Sequence, residues 1–296
     1  MANLKKRVPE NVPGDFFVDS TCIDCDACRQ IAPAVFGEAA ETSFVHTQPT
    51  SSADRRHALQ ALLACPTGSI GCLGDDDVKA VTNDFPLLVE EPVYYCGYNS
   101  PKSYGGNSYF IRHPDGNWLI DAPKFVAPLI RRLEALGGIA HIFLTHKDDV
   151  ADAELFAQHF GSRRIIHRDE LSSQPGAEVV LDGDGPWQLA PGFLAIATPG
   201  HTAGHCVLLV QERFLFTGDH LDWDRDRQRL SASESYCWYS WPKQAESMAR
   251  LADFRFEWVL PGHGQKVHLS ESEMNSQIVR LANSMTGTGQ TATPIS

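Results

Sequence analysis

The chain has 296 residues, 43% hydrophobic, 21% charged and 9% aromatic, a balance that excludes a disordered, collagen-like or small disulfide-stapled chain and, at about 150 residues per domain, suggests two domains. Against 25 Lys and Arg stand 37 Asp and Glu, a net charge of −12, which repels phosphate backbones and sets nucleic acid aside as a partner. No uncharged apolar run approaches the roughly 18 residues of a membrane span, and Leu4-Lys5-Lys6-Arg7 before Pro9 lacks the apolar stretch of a secretion signal, so a soluble cytoplasmic protein is expected.

Residues 1–85 form one compositional block, with 7 basic and 12 acidic residues and a net charge of −5. Val18-Asp19 reads as a short strand and Ala53 to Leu63 has helical spacing; Asp75-Asp76-Asp77 and Asn83-Asp84 look like turns. So few large apolar side chains make a weak core, which a bound cluster would staple. From residue 86 short strands alternate with helices. Ser108 to Ile111 and Trp118 to Ile120 flank the turn signal Pro114-Asp115-Gly116-Asn117, a hairpin pattern. Lys124 to Leu136 is helical and ends at Gly137-Gly138; Ile142 to Thr145 is a buried strand, and Asp149 to Phe160 an amphipathic helix stopped by Gly161. Strand-like runs follow at 164–167, 193–198, 206–210 and 214–218. Helices are predicted over 242–254 and 270–284, the second opening on the capping box Ser270 and Glu273. Residues 286–296 read as a flexible tail.

Five of the eight cysteines fall in the first quarter, and in a reducing compartment such a cluster reads as metal binding rather than disulfides. Cys22, Cys25 and Cys28 are spaced C-x2-C-x2-C, and Cys65 follows in Cys65-Pro66. One tight loop can then wrap three irons and aim backbone N–H groups at the sulfurs, while the distant Cys65 closes the cage. Zinc sites more often pair two C-x2-C knuckles. The stretch Phe17 to Cys28, then Ala32-Pro33 and Cys65-Pro66-Thr67-Gly68, resembles bacterial-type ferredoxins. Two-cluster members carry a further cysteine where this chain has Ala32. The resemblance therefore implies one 4Fe–4S cluster on Cys22, Cys25, Cys28 and Cys65, with Cys72 an ordinary thiol outside the pattern.

Four polar clusters stand at strand ends beside small residues: Thr145-His146-Lys147-Asp148-Asp149, Pro199-Gly200-His201, Gly218-Asp219-His220 and Pro261-Gly262-His263-Gly264. Rigid, open strand ends carrying imidazole and carboxylate suit a non-haem metal site. Their order and spacing resemble the metallo-β-lactamase superfamily, over about residues 86–285. The resemblance implies a fold in the α+β class, a ferredoxin-like N-terminal domain (1–85) followed by an αββα metallo-β-lactamase sandwich (86–285). It implies that Asp121 orients the metal loop and that His201, Asp219 and His263 match later ligand positions. The first motif departs from the family's Thr-His-x-His-x-Asp-His. His146 is kept, Asp148 replaces the second His, and Val150 and Ala151 replace the Asp-His pair, which argues against a full second metal. Asp149 and Asp152, near the start of the following helix, either partly compensate for the missing ligands or, the preferred expectation, cap that helix or face solvent.

His146, His201 and Asp219 make a two-histidine, one-carboxylate set, which suits mononuclear non-haem iron with open positions. Persulfide dioxygenases of the superfamily hold one iron at the matching positions. Asp148, a harder donor than imidazole, tilts the site from zinc towards iron or manganese, and no catalytic residue beyond the ligands stands out. The expectation is a redox-active enzyme whose cluster exchanges electrons with a mononuclear metal site or its substrate, acting on a small molecule or with an electron-transfer partner. The alternatives are a glyoxalase II-like thioester hydrolase and a non-enzymatic redox sensor or adaptor. The aromatic-rich segment 221–241 lines a substrate pocket or packs between sheet and helix.

Overall fold

The computed structural model describes residues 2–286; of the expected tail, residues 287–296 lie outside the described residues. The chain divides into two compact units. The first runs to Leu144 and includes Asp148–Ile165; the second comprises Thr145–Lys147 and the residues from Ile166 on.

In the first unit, Phe16–Val18 pairs antiparallel with Ile70–Cys72, and Phe36–Glu38 with Ser43–Val45. The helices Ala27–Ile31 and Ser52–Ala64 accompany them, the second capped by the Ser51 hydroxyl, which accepts from Asp54 N–H. The small core between these pieces includes Phe16, Val18, Val35, Phe36, Val45, Ala58, Leu59 and Ile70.

The same unit continues as an antiparallel run of Leu87–Glu90, Val93–Tyr95, Tyr109–Ile111 and Trp118–Ile120. His141–Phe143 and then Arg163 to Ile165 extend it in parallel. Parallel neighbours need a crossover, and two helices supply it, Ala127–Ala135 and Ala153–Phe160. Both start later than the sequence pattern suggests. Pro128 sits in the first turn of Ala127–Ala135, where its missing N–H costs nothing. Upstream, Lys124 and Phe125 give their N–H groups to Tyr98 O and Asp152 Oδ2 instead of to a helix. Ahead of the second helix, Lys147–Asp149 is a short 3-10 turn.

The second unit is built on a six-stranded sheet in the order Trp187–Ala190, Phe193–Ala197, Cys206–Val210, Phe214–Gly218, Trp258–Pro261, Val267–His268. Its pairs are antiparallel except Phe214–Gly218 with Trp258–Pro261, which run parallel. The two central strands, Cys206–Val210 and Phe214–Gly218, are buried at every residue, hence their largely apolar sequence, in which Thr217 is the one polar side chain. One face packs Val207, Leu209, Leu215 and Val259 against Met248 and Leu251 of helix Trp241–Leu251 and Met274 and Ile278 of helix Glu271–Met285. The capping box of that last helix forms as expected: Ser270 Oγ accepts from Glu273 N–H, and the Glu273 carboxylate accepts from Ser270 N–H. No helix among the described residues is long and apolar enough to cross a membrane.

Candidate thiol nest and metal centre

In the first unit the Cys22–Cys28 loop turns through two aspartates in the left-handed region, Asp24 at φ 55° and Asp26 at φ 63°, a conformation short polar side chains tolerate. Buried Arg29 pins that loop. Its guanidinium donates to Asp24 Oδ1 (2.5 Å), Asp26 Oδ1 (2.6 Å) and Ser43 Oγ (3.0 Å). Cys22, Cys25, Cys28 and Cys65 consequently line one cavity, with Val18, Ile23, Ser43 and Thr67 among its walls. Backbone N–H groups point at the sulfurs, Asp24 and Ser43 at Cys22 Sγ (3.5 and 3.4 Å) and Ser69 at Cys65 Sγ (3.3 Å). Burial, with the neighbouring Cys65 and Cys22, pushes the Cys25 thiol up to about 12; burial likewise pushes Cys28 up. Buried neighbours such as Cys25 and Cys28 resist ionising together unless cationic metal replaces their protons, and the cavity lined by the four cysteines, with N–H donors at its sulfurs, fits a cubane cluster. Cys72 lies outside the cavity lining, and its thiol donates to Asp76 Oδ2 at 3.1 Å.

In the second unit the parallel strands Phe214–Gly218 and Trp258–Pro261 end at the same level, where Gly262 N–H donates to Gly218 O (2.8 Å). Asp219 and His263 follow those ends. The His201 loop turns back between the two strands Phe193–Ala197 and Cys206–Val210, with Thr198 N–H on His205 O (2.8 Å). His146 is placed by its neighbour, since Thr145 O accepts from Cys206 N–H (2.9 Å). Asp219 Oδ2 lies 3.6 Å from His146 Nε2 and 3.7 Å from His201 Nε2, and Asp219 Oδ1 lies 2.8 Å from His263 Nδ1. The His146 and His201 rings meet edge to face, 4.8 Å between centroids. Donors at about 2.1 Å from one tetrahedral ion stand about 3.4 Å apart, close to the spacing of Asp219 Oδ2 from each of the two imidazoles.

Burial alone would raise the Asp219 carboxyl, but His263 and His146 beside it hold it well below the usual carboxylate range. His205 supports the Asp219 position through a hydrogen bond. Its ring is fully buried, and burial together with the His146, His220 and His201 rings holds it well below its ordinary range. Neutral, it accepts from Asp219 N–H at Nε2 (3.3 Å) and donates from Nδ1 to Thr198 Oγ1 (2.8 Å). Gly218 allows this approach. It has φ 47°, and a Cβ there would stand 2.6 Å from Thr145 Oγ1 and 2.7 Å from His205 Nε2. Glu170 was not singled out in the sequence. It is 1% exposed, and its carboxylate accepts from Lys147 N–H (3.2 Å) and Gly204 N–H (2.6 Å), joining the His146 segment to the His201–His205 loop.

The structure thus gathers His146, His201, Asp219 and His263 in the second unit, while Asp148, half-buried, begins the stretch 148–165 of the first. Asp149 is buried rather than facing solvent, and its carbonyl accepts from Ala122 N–H (3.3 Å). Asp152 precedes the helix without capping it by its side chain; its carboxylate instead receives Lys102 Nζ (2.6 Å) and Phe125 N–H (2.9 Å). Asp121 is buried at the end of its strand with φ 53°. In the aromatic segment Trp223 joins the core, whereas Tyr236, Trp238 and Tyr239 are exposed. Trp238 and Tyr239 N–H both donate to His201 O (2.9 and 3.1 Å), which straps the segment to the ligand loop.

Comparison with known proteins agrees with both family resemblances. Residues 18–72 match the model of the 4Fe-4S single cluster domain of Ferredoxin I, and residues 89–275 that of the metallo-beta-lactamase superfamily. The chain is 32% identical over 127 residues to a hydroxyacylglutathione hydrolase of Salmonella arizonae, covering 42% of this chain and 50% of that protein. It is 32% identical over 139 residues to the thioesterase pkgB of Emericella nidulans, covering 44% and 40%. The chain therefore spans about half the length of the curated relatives it matches. The crystal structure of the DIM-1 metallo-beta-lactamase superposes with a TM-score of 0.51 at 16% identity, over 67% of this chain and 95% of that one. The fold class is the expected one, α+β, with a ferredoxin-type segment ahead of a metallo-β-lactamase fold. With 187 of its 296 residues matched by that model, and a single-cluster ferredoxin domain ahead of them, this chain belongs to the metallo-beta-lactamase superfamily.

Proposed function

We propose that this protein is a redox-active metalloenzyme in which a 4Fe–4S cluster exchanges single electrons with a mononuclear metal site or with a small-molecule substrate beside it. One observation carries the reading: the same chain builds a four-thiol nest and a two-histidine, one-carboxylate set. Under this reading residues 1–85 hold the cluster through Cys22, Cys25, Cys28 and Cys65. Residues 86–285 hold one ion through His146, His201 and Asp219, with Asp148 and His263 as further contacts. The donor set favours iron, and Val150 and Ala151 contribute no donor atoms for a second ion. When bound, such an ion supplies Lewis acidity and open positions, and the cluster supplies one-electron transfer. The chain's own part is to present the donors. Asp219 stays ionised, neutral His205 fixes the Asp219 backbone, and Glu170 fixes the two histidine segments. Hydrolysis is redox-neutral and has no use for a ferredoxin centre, whereas tethering donor to acceptor raises the effective concentration of one at the other.

A second reading is a metal-dependent hydrolase of thioester-type substrates, favoured by the hydroxyacylglutathione hydrolase and thioesterase relatives. Anaerobic quantification of iron, zinc, manganese and acid-labile sulfide separates the two. About five irons and four sulfides per chain support the redox enzyme, and four irons with one zinc support the hydrolase. Four irons with no other metal point to a redox sensor. A chemically reduced cluster should also reoxidise faster in the wild type than in His201→Ala when oxygen, nitric oxide or a persulfide is supplied. Equal rates across all three acceptors would remove redox catalysis.

A further inference from the structure

The sequence marks Lys124 only as the start of a predicted helix, but the structure gives it a different place. Its backbone N–H is held on Tyr98 O (2.9 Å), outside the helix that begins at Ala127. Its side chain is half-buried, and the ammonium donates to Pro66 O at 2.6 Å and lies 3.4 Å from Cys65 O. Within the first unit this loop and its neighbours close on the thiol nest from one side. Asn99 N–H donates to Ala64 O (3.1 Å). Gly105 at φ 89° lies so near Cys25 that a Cβ there would stand 2.6 Å from Cys25 Cβ.

Tying down Pro66 needs a donor and no charge, for which an amide would serve. A lysine brings a full positive charge beside the backbone of the fourth cysteine, in a half-buried place where charges act more strongly than in water. A cubane cluster on four thiolates gains one negative charge when it accepts an electron, and its potential follows the net charge and hydrogen bonding around it. We propose that Lys124 is a positioning and potential-setting residue for the cluster, its ammonium favouring the reduced form. The inference rests on the reading that Cys22, Cys25, Cys28 and Cys65 hold a 4Fe–4S cluster. The step is a single-electron transfer from a mediator poised at an electrode, with no bond made or broken. Lys124 also lies three residues from Asp121, on a stretch where Ala122 N–H meets Asp149 O and Phe125 N–H meets Asp152 Oδ2. Lys124 thus brings its charge from the lactamase-type part of the chain, whereas the Arg29 guanidinium of the ferredoxin-type segment is already paired with Asp24 and Asp26.

The test is a mediated redox titration of the full-length, anaerobically purified protein, followed by absorbance and EPR, in the wild type, Lys124→Arg, Lys124→Gln and Lys124→Met. Iron and sulfide are counted in each. The expected result is a reduced-to-oxidised ratio about tenfold lower in the Gln and Met variants at fixed applied potential, equivalent to about 59 mV for a one-electron couple. The Arg variant should stay within twofold of the wild type. An unchanged midpoint in Lys124→Met with a full cluster would overturn the proposal. So would lost cluster in Gln and Met with an unchanged midpoint in the clusters that remain, since Lys124 would then be a structural tie. A wild type without acid-labile sulfide would instead refute the cofactor reading itself, and this inference with it.

Discussion

Removing the Glu170 carboxylate should loosen the metal centre without touching any ligand. Glu170 accepts two backbone N–H groups, Lys147 at 3.2 Å and Gly204 at 2.6 Å, and is 1% exposed. A hydrogen bond to a charged group contributes about 1.5–3 kcal/mol, and a buried donor left without an acceptor costs about 1–3 kcal/mol. Glu170→Ala removes both acceptors, and after allowing for the carboxylate's own desolvation it should destabilise the protein by about 3–5 kcal/mol. Glu170→Gln keeps one acceptor oxygen but turns an NH2 towards the other N–H, so about 2 kcal/mol is expected. Because Lys147 follows His146 and Gly204 precedes His205, the same loss should reach metal affinity. Residues that orient ligands are worth about 10–100-fold there. Denaturant unfolding of metal-free and metal-loaded protein, with metal affinity by chelator competition, separates the two effects. Two variants with wild-type unfolding midpoints and wild-type affinity would show that the carboxylate does not hold the two segments together.

Three further outcomes can be checked independently. Cys28→Ala should leave the cluster incomplete or absent and residues 1–85 prone to proteolysis, because cluster binding is part of the folding energy of a segment with so small a core; stoichiometric zinc without acid-labile sulfide in the wild type would contradict it. A crystal soaked in ferrous or zinc ion should show one fully occupied site at His146, His201 and Asp219; two full ions about 3.5–4 Å apart would mean that the loss of the Asp-His pair at Val150 and Ala151 has been misread. Gly218→Ala places a Cβ 2.6 Å from Thr145 Oγ1 and 2.7 Å from His205 Nε2 on a backbone at φ 47°, so a loss of about 1–3 kcal/mol is expected. Thermal unfolding equal to that of the wild type would show that the strand end can open at no cost.

Features with local signals were legible in the amino-acid order. The C-x2-C-x2-C spacing with Cys65-Pro66 announced a thiol nest because three donors within seven residues cannot scatter far. The buried runs 206–210 and 214–218 showed as strands because both faces are covered and nearly every residue, Thr217 apart, is without a polar side chain. Ser270 and Glu273 marked a helix start because their mutual capping involves only four residues. His146, His201, Asp219 and His263 stood out by residue type beside small residues at strand ends. Tertiary structure decided what rests on partners distant in sequence. Glu170 sits in a polar turn like any other until Gly204, 34 residues later, brings its N–H to the carboxylate. Lys124 looked like the first turn of a helix because periodicity sees side-chain spacing, not the carbonyl of Pro66 58 residues earlier. Asp149 carries the same charge as Asp148, yet one is buried and the other half-exposed. Burial of a polar group is fixed by what packs around it, and no local pattern in the chain encodes that.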